Sequence, residues 1–383
     1  MTASALTRPG ERDRLPVKLS QIDWRLTALL CVIGGASTAM LYSVAGASWE
    51  PWAANHLMRF SFAVLLMIGL ALLDLRIWFA VAYPFYGVTL LMLLAVEVVG
   101  VTVNGAQSWI DLGVTRVQPA EFMKLAVVLA LARWYHGATA QEARLHWKLV
   151  FPAAMVGLPF LLVAHQPDLG TAMSLALTGA AIMFVAGLSW KIIAPIVIAA
   201  VVAIPPYVVF GMHEYQRKRV LTFLDPSADP SGDGYNIIQS KIALGSGGLL
   251  GKGYGLGSQS QLEFLPERHT DFIFATVAEE FGFVGSVAIL LCYLAIVLTC
   301  LRIASLSHSH FARLAALGVT ATFAVYLLIN GAMVMGLAPV VGVPMPLMSY
   351  GGSMMLMLMV GFGLIQAVRV HRYTELPKGS GLI

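Results

Sequence analysis

The chain has 383 residues, 58% of them hydrophobic and only 11% charged, with a mean hydropathy of +0.79. Soluble domains run near half apolar and about a quarter charged, so this balance excludes a soluble globular fold and points to an integral membrane protein. The net charge of +4 comes without a basic, aromatic-interleaved patch, so no nucleic-acid partner is expected. The alternating segments of about ten residues that mark a membrane β-barrel are absent as well.

The first twenty residues, MTASALTRPGERDRLPVKLS, are polar and basic. No small-residue cleavage pattern follows the first apolar run, which reads as a spanning helix and not as a removed signal. Runs approaching the ~20 residues that cross a bilayer recur near 26–45, 57–73, 78–102, 119–138, 149–164, 170–188, 192–211, 271–301, 314–338 and 349–369. The expected fold is an all-α integral membrane bundle of about ten transmembrane helices, forming a single membrane domain over 1–383. The run near 271–301 is long enough to tilt or to project from the membrane. The long polar stretch 212–270 is rich in Gly, Pro and Asp at its centre, where turns are expected. Within it, YNIIQSKIAL has the pattern of a short amphipathic helix lying on the membrane surface. Cys31, Cys292 and Cys300 fall inside apolar runs without CxxC spacing, so buried free thiols are expected and neither a disulfide nor a zinc site.

Orientation follows from Lys and Arg in short loops. One set of segments holds Arg8, Arg12, Arg14, Lys18, Arg25, Arg76, Arg133, Arg144, Lys148, Lys191, Arg302, Arg313, Arg369, Arg372 and Lys378, whereas the short loops opposite hold only Arg59 and Arg116. Both termini, 1–24 and 370–383, are therefore expected in the cytoplasm, and 212–270 as a large extracytoplasmic loop.

Several polar motifs fall on that outer side. In GSGGLLGKGYGLG, Lys252 is followed by Gly where a phosphate loop needs Ser or Thr; a flexible surface loop is the simpler reading, and a substrate-contacting loop the alternative. Asp271 stands where the loop enters an apolar helix, with Glu267, Arg268 and His269 beside it. Either Thr270 caps that helix with Asp271 in its first turn, or Asp271 faces a cavity, as costly ionisable groups at membrane depth usually do. Glu279, eight residues on, is close to the same helical face, and at least one of Glu279 and Glu280 is expected only to pair structurally. Glu121 and Lys124 are three apart on one helix face, so they form an ion pair, or else Lys124 or Arg116 meets an anionic head group. Trp109 suits an interfacial anchor or a cavity wall, and Asp168 in HQPDLGTA suits a turn and cap. GVPMPLMSYGGSMM, with Ser349, breaks regular backbone, which at membrane depth is tolerated when it lines a cavity.

Taken together, NGAQSWIDLG, QPAEFMKLA, HQPDLGTA, GDGYNIIQSKIALGSGGLLGKGYGLGSQSQLEFLPERHTDFIFATVAEEFGFVG and GVPMPLMSYGGS resemble, in order from about residue 100 to 355, the SEDS family of bacterial membrane proteins (shape, elongation, division and sporulation). HQPDLGTA and LPERHTDFIFA favour the elongation branch over the division branch. The departures are SYGGSMM, where a second Ser is common in the family, QPAE, where Ser often replaces Ala120, and ATVAEE near the active helix; none removes a candidate catalytic group.

The resemblance implies a peptidoglycan glycosyltransferase that polymerises lipid II on the outer face of the bacterial inner membrane. Asp271 matches the family's catalytic Asp, and Glu263 a sensitive position of the outer loop. Arg116, Lys124, Arg217, Lys218, Arg219, Lys252 and Arg268 are candidates to meet the leaving pyrophosphate, and His269 and Ser349 to shape the cavity. A divalent cation, Mg or Mn, is expected to assist, with unknown ligands, and no organic cofactor. No S-x-x-K and K-T-G pair is present, so crosslinking falls to a partner, a class B penicillin-binding transpeptidase, beside other elongation-complex membrane proteins. The alternatives are a lipid II flippase, which needs a charged path through the midplane, and a non-catalytic scaffold activating that transpeptidase.

Overall fold

A computed structural model describes residues 15–103, 106–111, 113, 116–137, 149–192, 214–226 and 232–377, with isolated positions between 194 and 211. A short helix α1 (Leu15–Gln21) leads to α2 (Trp24–Val44), whose first turn is capped by Asp23 accepting from Leu26 N. Then come α3 (Ala53–Ala71), α4 (Leu75–Val99), α5 (Pro119–Gly137), α6 (Val150–His165) and α7 (Leu169–Val185). The stretch 214–261 holds α8 (Glu214–Leu224), α9 (Asp233–Ser246) and α10 (Ser258–Gln261), followed by α11 (Ile273–Ser305), α12 (His310–Val334) and α13 (Gly352–Val370). Six of these, α2, α3, α4, α11, α12 and α13, are long and apolar enough to cross a membrane; α6 and α7 are apolar but shorter. The span expected at 192–211 lies almost wholly outside the described residues.

Helix α5 forms the centre. Every residue from Met123 to Ala132 is buried, and α4, α6, α7 and α12 pack around it. Helices α3 and α13 pack closely because Gly363 lies flat on α3: a Cβ there would come within 3.1 Å of the Met67 carbonyl oxygen. Small residues at such crossings let backbones approach where lipid supplies no hydrophobic drive. Leu, Val and Phe side chains on the outer faces of α3, α4 and α11 are exposed, as a lipid-facing surface requires.

Three features depart from the sequence expectation. The fold is not purely helical: β1 (Val101–Val103), β2 (Ala106–Asp111) and β3 (Arg116–Val117) form a small antiparallel sheet between α4 and α5. Asp111 Oδ1 accepts from Gly113 N at 2.8 Å, and Gly113 (φ 82°) takes the left-handed conformation that closes the β2–β3 turn. Of the three thiols only Cys300 is buried, while Cys31 is exposed because it stands on the outward face of α2.

The glycine-rich stretch 245–257 is a clasp and not a loose loop. Helix α11 breaks at Gly282 (φ 66°, ψ −160°), a conformation that only glycine takes without strain. Phe283 N and Val284 N, freed by the break, donate to the carbonyls of Gly248 and Leu249, and Lys252 N and Gly253 N donate to those of Glu279 and Glu280. No side chain fits at the closest contact, because a Cβ at Gly251 would lie 2.1 Å from the Glu280 carbonyl oxygen.

Candidate active site

A cavity of about 500 Å³ opens where four helices begin. Its wall includes Gln118 ahead of α5, Gly170 and Thr171 at the start of α7, Asp271 and Phe272 ahead of α11, and Gly352 and Ser353 at the start of α13. The positive ends of helix dipoles thus converge on one space, an arrangement suited to anions. Trp109 from β2 and Arg219 from α8 complete the rim, and residues 339–344 form the rear wall.

Four carboxylates line the same space: Glu121, Asp168, Glu267 and Asp271. Asp271 does not sit in a capped first turn. Phe272 holds the N-cap position of α11 without a side-chain cap, and Thr270 Oγ1 donates instead to Glu267 Oε2 at 2.6 Å. Burial, reinforced by the negative charge of Glu267 and of Asp168 and opposed by Arg219, pushes the Asp271 carboxyl up to about 7. The helix dipole alone would keep it ionised; desolvation outweighs that. Asp168 is likewise raised by burial, although it caps α7 through Thr171 N (3.1 Å) and accepts from Gln118 Nε2 at 2.8 Å. Beneath the floor, Lys124 is 2% exposed, 2.8 Å from Glu121 Oε1 and hydrogen-bonded to Tyr326 Oη, which in turn donates to Glu121 Oε2 at 2.5 Å.

The other sequence-selected residues lie at varying distances from this space. Trp109 and Asp271 line it, whereas Lys124 is buried behind Glu121 and Tyr326. Arg116 stays on the strand β3, exposed and 3.3 Å from Asp111 Oδ2, and Arg217 is exposed on α8, where it is Arg219 two residues on that reaches the cavity. Lys252 is drawn into the clasp, 2.7 Å from the fully buried Glu279, which also accepts from Ser258 Oγ and from Gln259 N. Glu263, exposed at φ 61°, pairs with the buried Arg268 at 2.7 Å. His269 stacks on Trp52 with ring centroids 4.4 Å apart, and burial lowers its pKa. Ser349 is buried behind the wall.

Glu267, a neighbour of Asp271 in the sequence, lines the cavity with it, and so do Glu121 and Asp168, whose spacing reads as an ion pair and a helix cap, and Gln118 and Tyr326, which no motif singles out. For Asp168 the capping signal masked a second role; for Tyr326, mid-helix in an apolar run, no local signal exists. Among the described residues no group of three or more His, Cys, Asp or Glu side chains is placed to hold a metal ion.

The model of the FtsW, RodA and SpoVE family, described as cell cycle proteins, matches residues 19–374. The peptidoglycan glycosyltransferase MrdB of Escherichia coli K12 is 44% identical over 314 residues, covering 82% of this chain and 84% of that protein. Stage V sporulation protein E of Bacillus subtilis is 33% identical, covering 91% and 96%. A solved chain from work on polymerization and crosslinking by a peptidoglycan synthase complex superposes with a TM-score of 0.81 at 32% identity, covering 92% of this chain and 99% of that one. The rod shape determining protein RodA of Thermus thermophilus gives 0.70 at 29% identity, covering 92% and 98%. The chain therefore belongs to the FtsW, RodA and SpoVE family of cell cycle proteins, the SEDS family that its motifs resemble.

Proposed function

We propose that this chain is a peptidoglycan glycosyltransferase of the elongation type, polymerising lipid II into glycan strands at the cavity that Asp271 lines. The name and 44% identity of the Escherichia coli relative support the activity, and the observation that carries the mechanism is the placement of the Asp271 carboxyl in a space ringed by helix N-termini, where burial pushes it up to about 7. In the proposed step the 4-hydroxyl oxygen of the GlcNAc on an incoming lipid II attacks the anomeric carbon of the MurNAc at the lipid-linked end of the strand. The β-1,4 bond forms, the bond from that carbon to the pyrophosphate oxygen breaks, and undecaprenyl pyrophosphate leaves with the bonding electrons. Asp271 accepts the hydroxyl proton; a base whose pKa lies near the working pH combines availability with proton affinity. The helix N-termini and Arg219 meet the charge growing on the leaving group.

The described residues do not assemble a metal-ligand set; Mg or Mn enters as a component of the assay. The proposed topology is a single membrane domain of about ten spans in the bacterial inner membrane, with both termini cytoplasmic and the cavity and the stretch 212–270 outside. The lysines and arginines that set it are distributed as the positive-inside rule requires. The likeness to a chain of a polymerizing and crosslinking complex supports a class B penicillin-binding transpeptidase as partner.

The test uses detergent micelles, which have no two sides. The purified protein with its transpeptidase partner, given lipid II and Mg, is expected to yield glycan polymer and free undecaprenyl pyrophosphate. A flippase or a scaffold leaves lipid II unchanged there, and that result, beside an active control polymerase, would overturn the proposal.

A further inference from the structure

Three consecutive peptide carbonyls ahead of α11 are each bonded from outside their own segment. Tyr350 N donates to the His269 carbonyl at 2.9 Å, Ser349 Oγ to the Thr270 carbonyl at 2.5 Å, and Asn330 Nδ2 to the Asp271 carbonyl at 2.8 Å. The donors are themselves fixed. Asn330 is fully buried, and the second hydrogen of the same amide nitrogen goes to the Val343 carbonyl at 2.8 Å. Ser349 is 1% exposed, and its hydroxyl accepts from Met345 N at 2.8 Å. The 343–350 segment is in turn bolted to distant helices, by Tyr293 Oη on the Pro346 carbonyl and by Ser37 Oγ on the Met348 carbonyl, both at 2.6 Å.

We infer that Asn330 and Ser349 are positioning residues for the glycosyl transfer: they hold the 269–271 turn so that the Asp271 carboxyl faces the cavity, and touch no substrate themselves. Neither side chain lines the cavity. The turn needs outside support because its helix has no side-chain cap, and because buried carbonyls must find donors. Asn330 also ties the turn to Val343 of the rear wall, next to Gly342, the residue that faces Asp271 Oδ2. One amide thereby sets the distance between the base and the wall across which the substrate sugar would lie.

This inference rests on Asp271 being the base, and the test separates the two. Ser349→Ala removes the donor, Ser349→Thr keeps a hydroxyl, and Asn330→Leu keeps volume without the amide; each is purified in complex with the partner and checked for folding. A misplacement of about 1 Å costs on the order of 100-fold in rate, so Ser349→Ala and Asn330→Leu are expected to lower kcat about 10–100-fold with KM for lipid II unchanged. The groups facing Asp271, namely Glu267, Asp168 and Arg219, stay in place. The acid limb of the pH–rate profile should nevertheless move to lower pH as the loosened carboxyl gains water. Ser349→Thr should restore both kcat and the profile. Folded Ser349→Ala with wild-type kcat and profile, or a loss that only tracks lost folded protein, would overturn the inference while Asp271→Asn is inactive. An active Asp271→Asn would instead overturn the base on which it rests.

Discussion

At Asp271 two effects oppose each other, and only one of them is local in sequence. The nearby helix start is visible in the run HTDFIFATVAEE, and its dipole favours the ionised form. The burial and the facing carboxylates that hold the group near pKa 7 come from Asp168, a hundred residues earlier, as well as from Glu267, and no spacing rule brings Asp168 there. The same limit explains Lys124: its spacing to Glu121 was legible as an ion pair, but the third partner, Tyr326, is contributed by α12. Because the folded pKa of Asp271 exceeds its ordinary value of 3.8, the folded state binds more protons between about pH 4 and 7, so that stability falls as pH rises through this window. Asp271→Asn is therefore expected to raise the unfolding temperature at pH 8, with a gain that shrinks as the pH is lowered from about 7 toward 4. A gain independent of pH, or a loss at pH 8, would contradict the burial of a costly charge at this position.

Helix α11 shows how an element can be legible in extent and illegible in shape. The apolar run from 271 to 301 reads as one long span; at 1.5 Å per residue the observed 33 residues reach about 50 Å, well beyond a hydrocarbon core of about 30 Å. The excess is accommodated by the break at Gly282, which lets the glycine-rich stretch lie against the helix and close over Glu279. The sequence showed the glycines and the adjacent glutamates but not that each explains the other: the glycines allow backbone contact, and Lys252 with the surrounding amides neutralises the buried carboxylate. Removing one partner of a buried pair costs about 3–5 kcal/mol. Lys252 is 30% exposed and Glu279 keeps its hydroxyl and amide donors, so Lys252→Met is expected near the low end, about 3 kcal/mol, read as a lower unfolding temperature in detergent. No measurable change would mean that the clasp holds without its ion pair.

On the scale of the whole molecule, hydropathy located the apolar helices because lipid imposes the same demand on each: a run of about 20 apolar residues with every backbone group bonded within it. The helix Asp233–Ser246 was carried by the amphipathic pattern of YNIIQSKIAL, whereas the small sheet formed by β1, β2 and β3 and the convergence of four helix starts on one cavity answer to contacts between distant segments, and a one-dimensional pattern does not carry them. Their joint effect is a polar space built into an apolar bundle, lined by Asp271, the carboxyl to which the proposed function gives the proton-accepting role. The most direct measurement compares glycan polymerisation from lipid II by the purified wild-type transpeptidase complex with that by the Asp271→Asn complex, at equal expression and assembly. A general base contributes about 100- to 10,000-fold, so the variant is expected to lose at least about 100-fold in rate while still binding its partner. Polymerisation by Asp271→Asn at the wild-type rate would contradict the account.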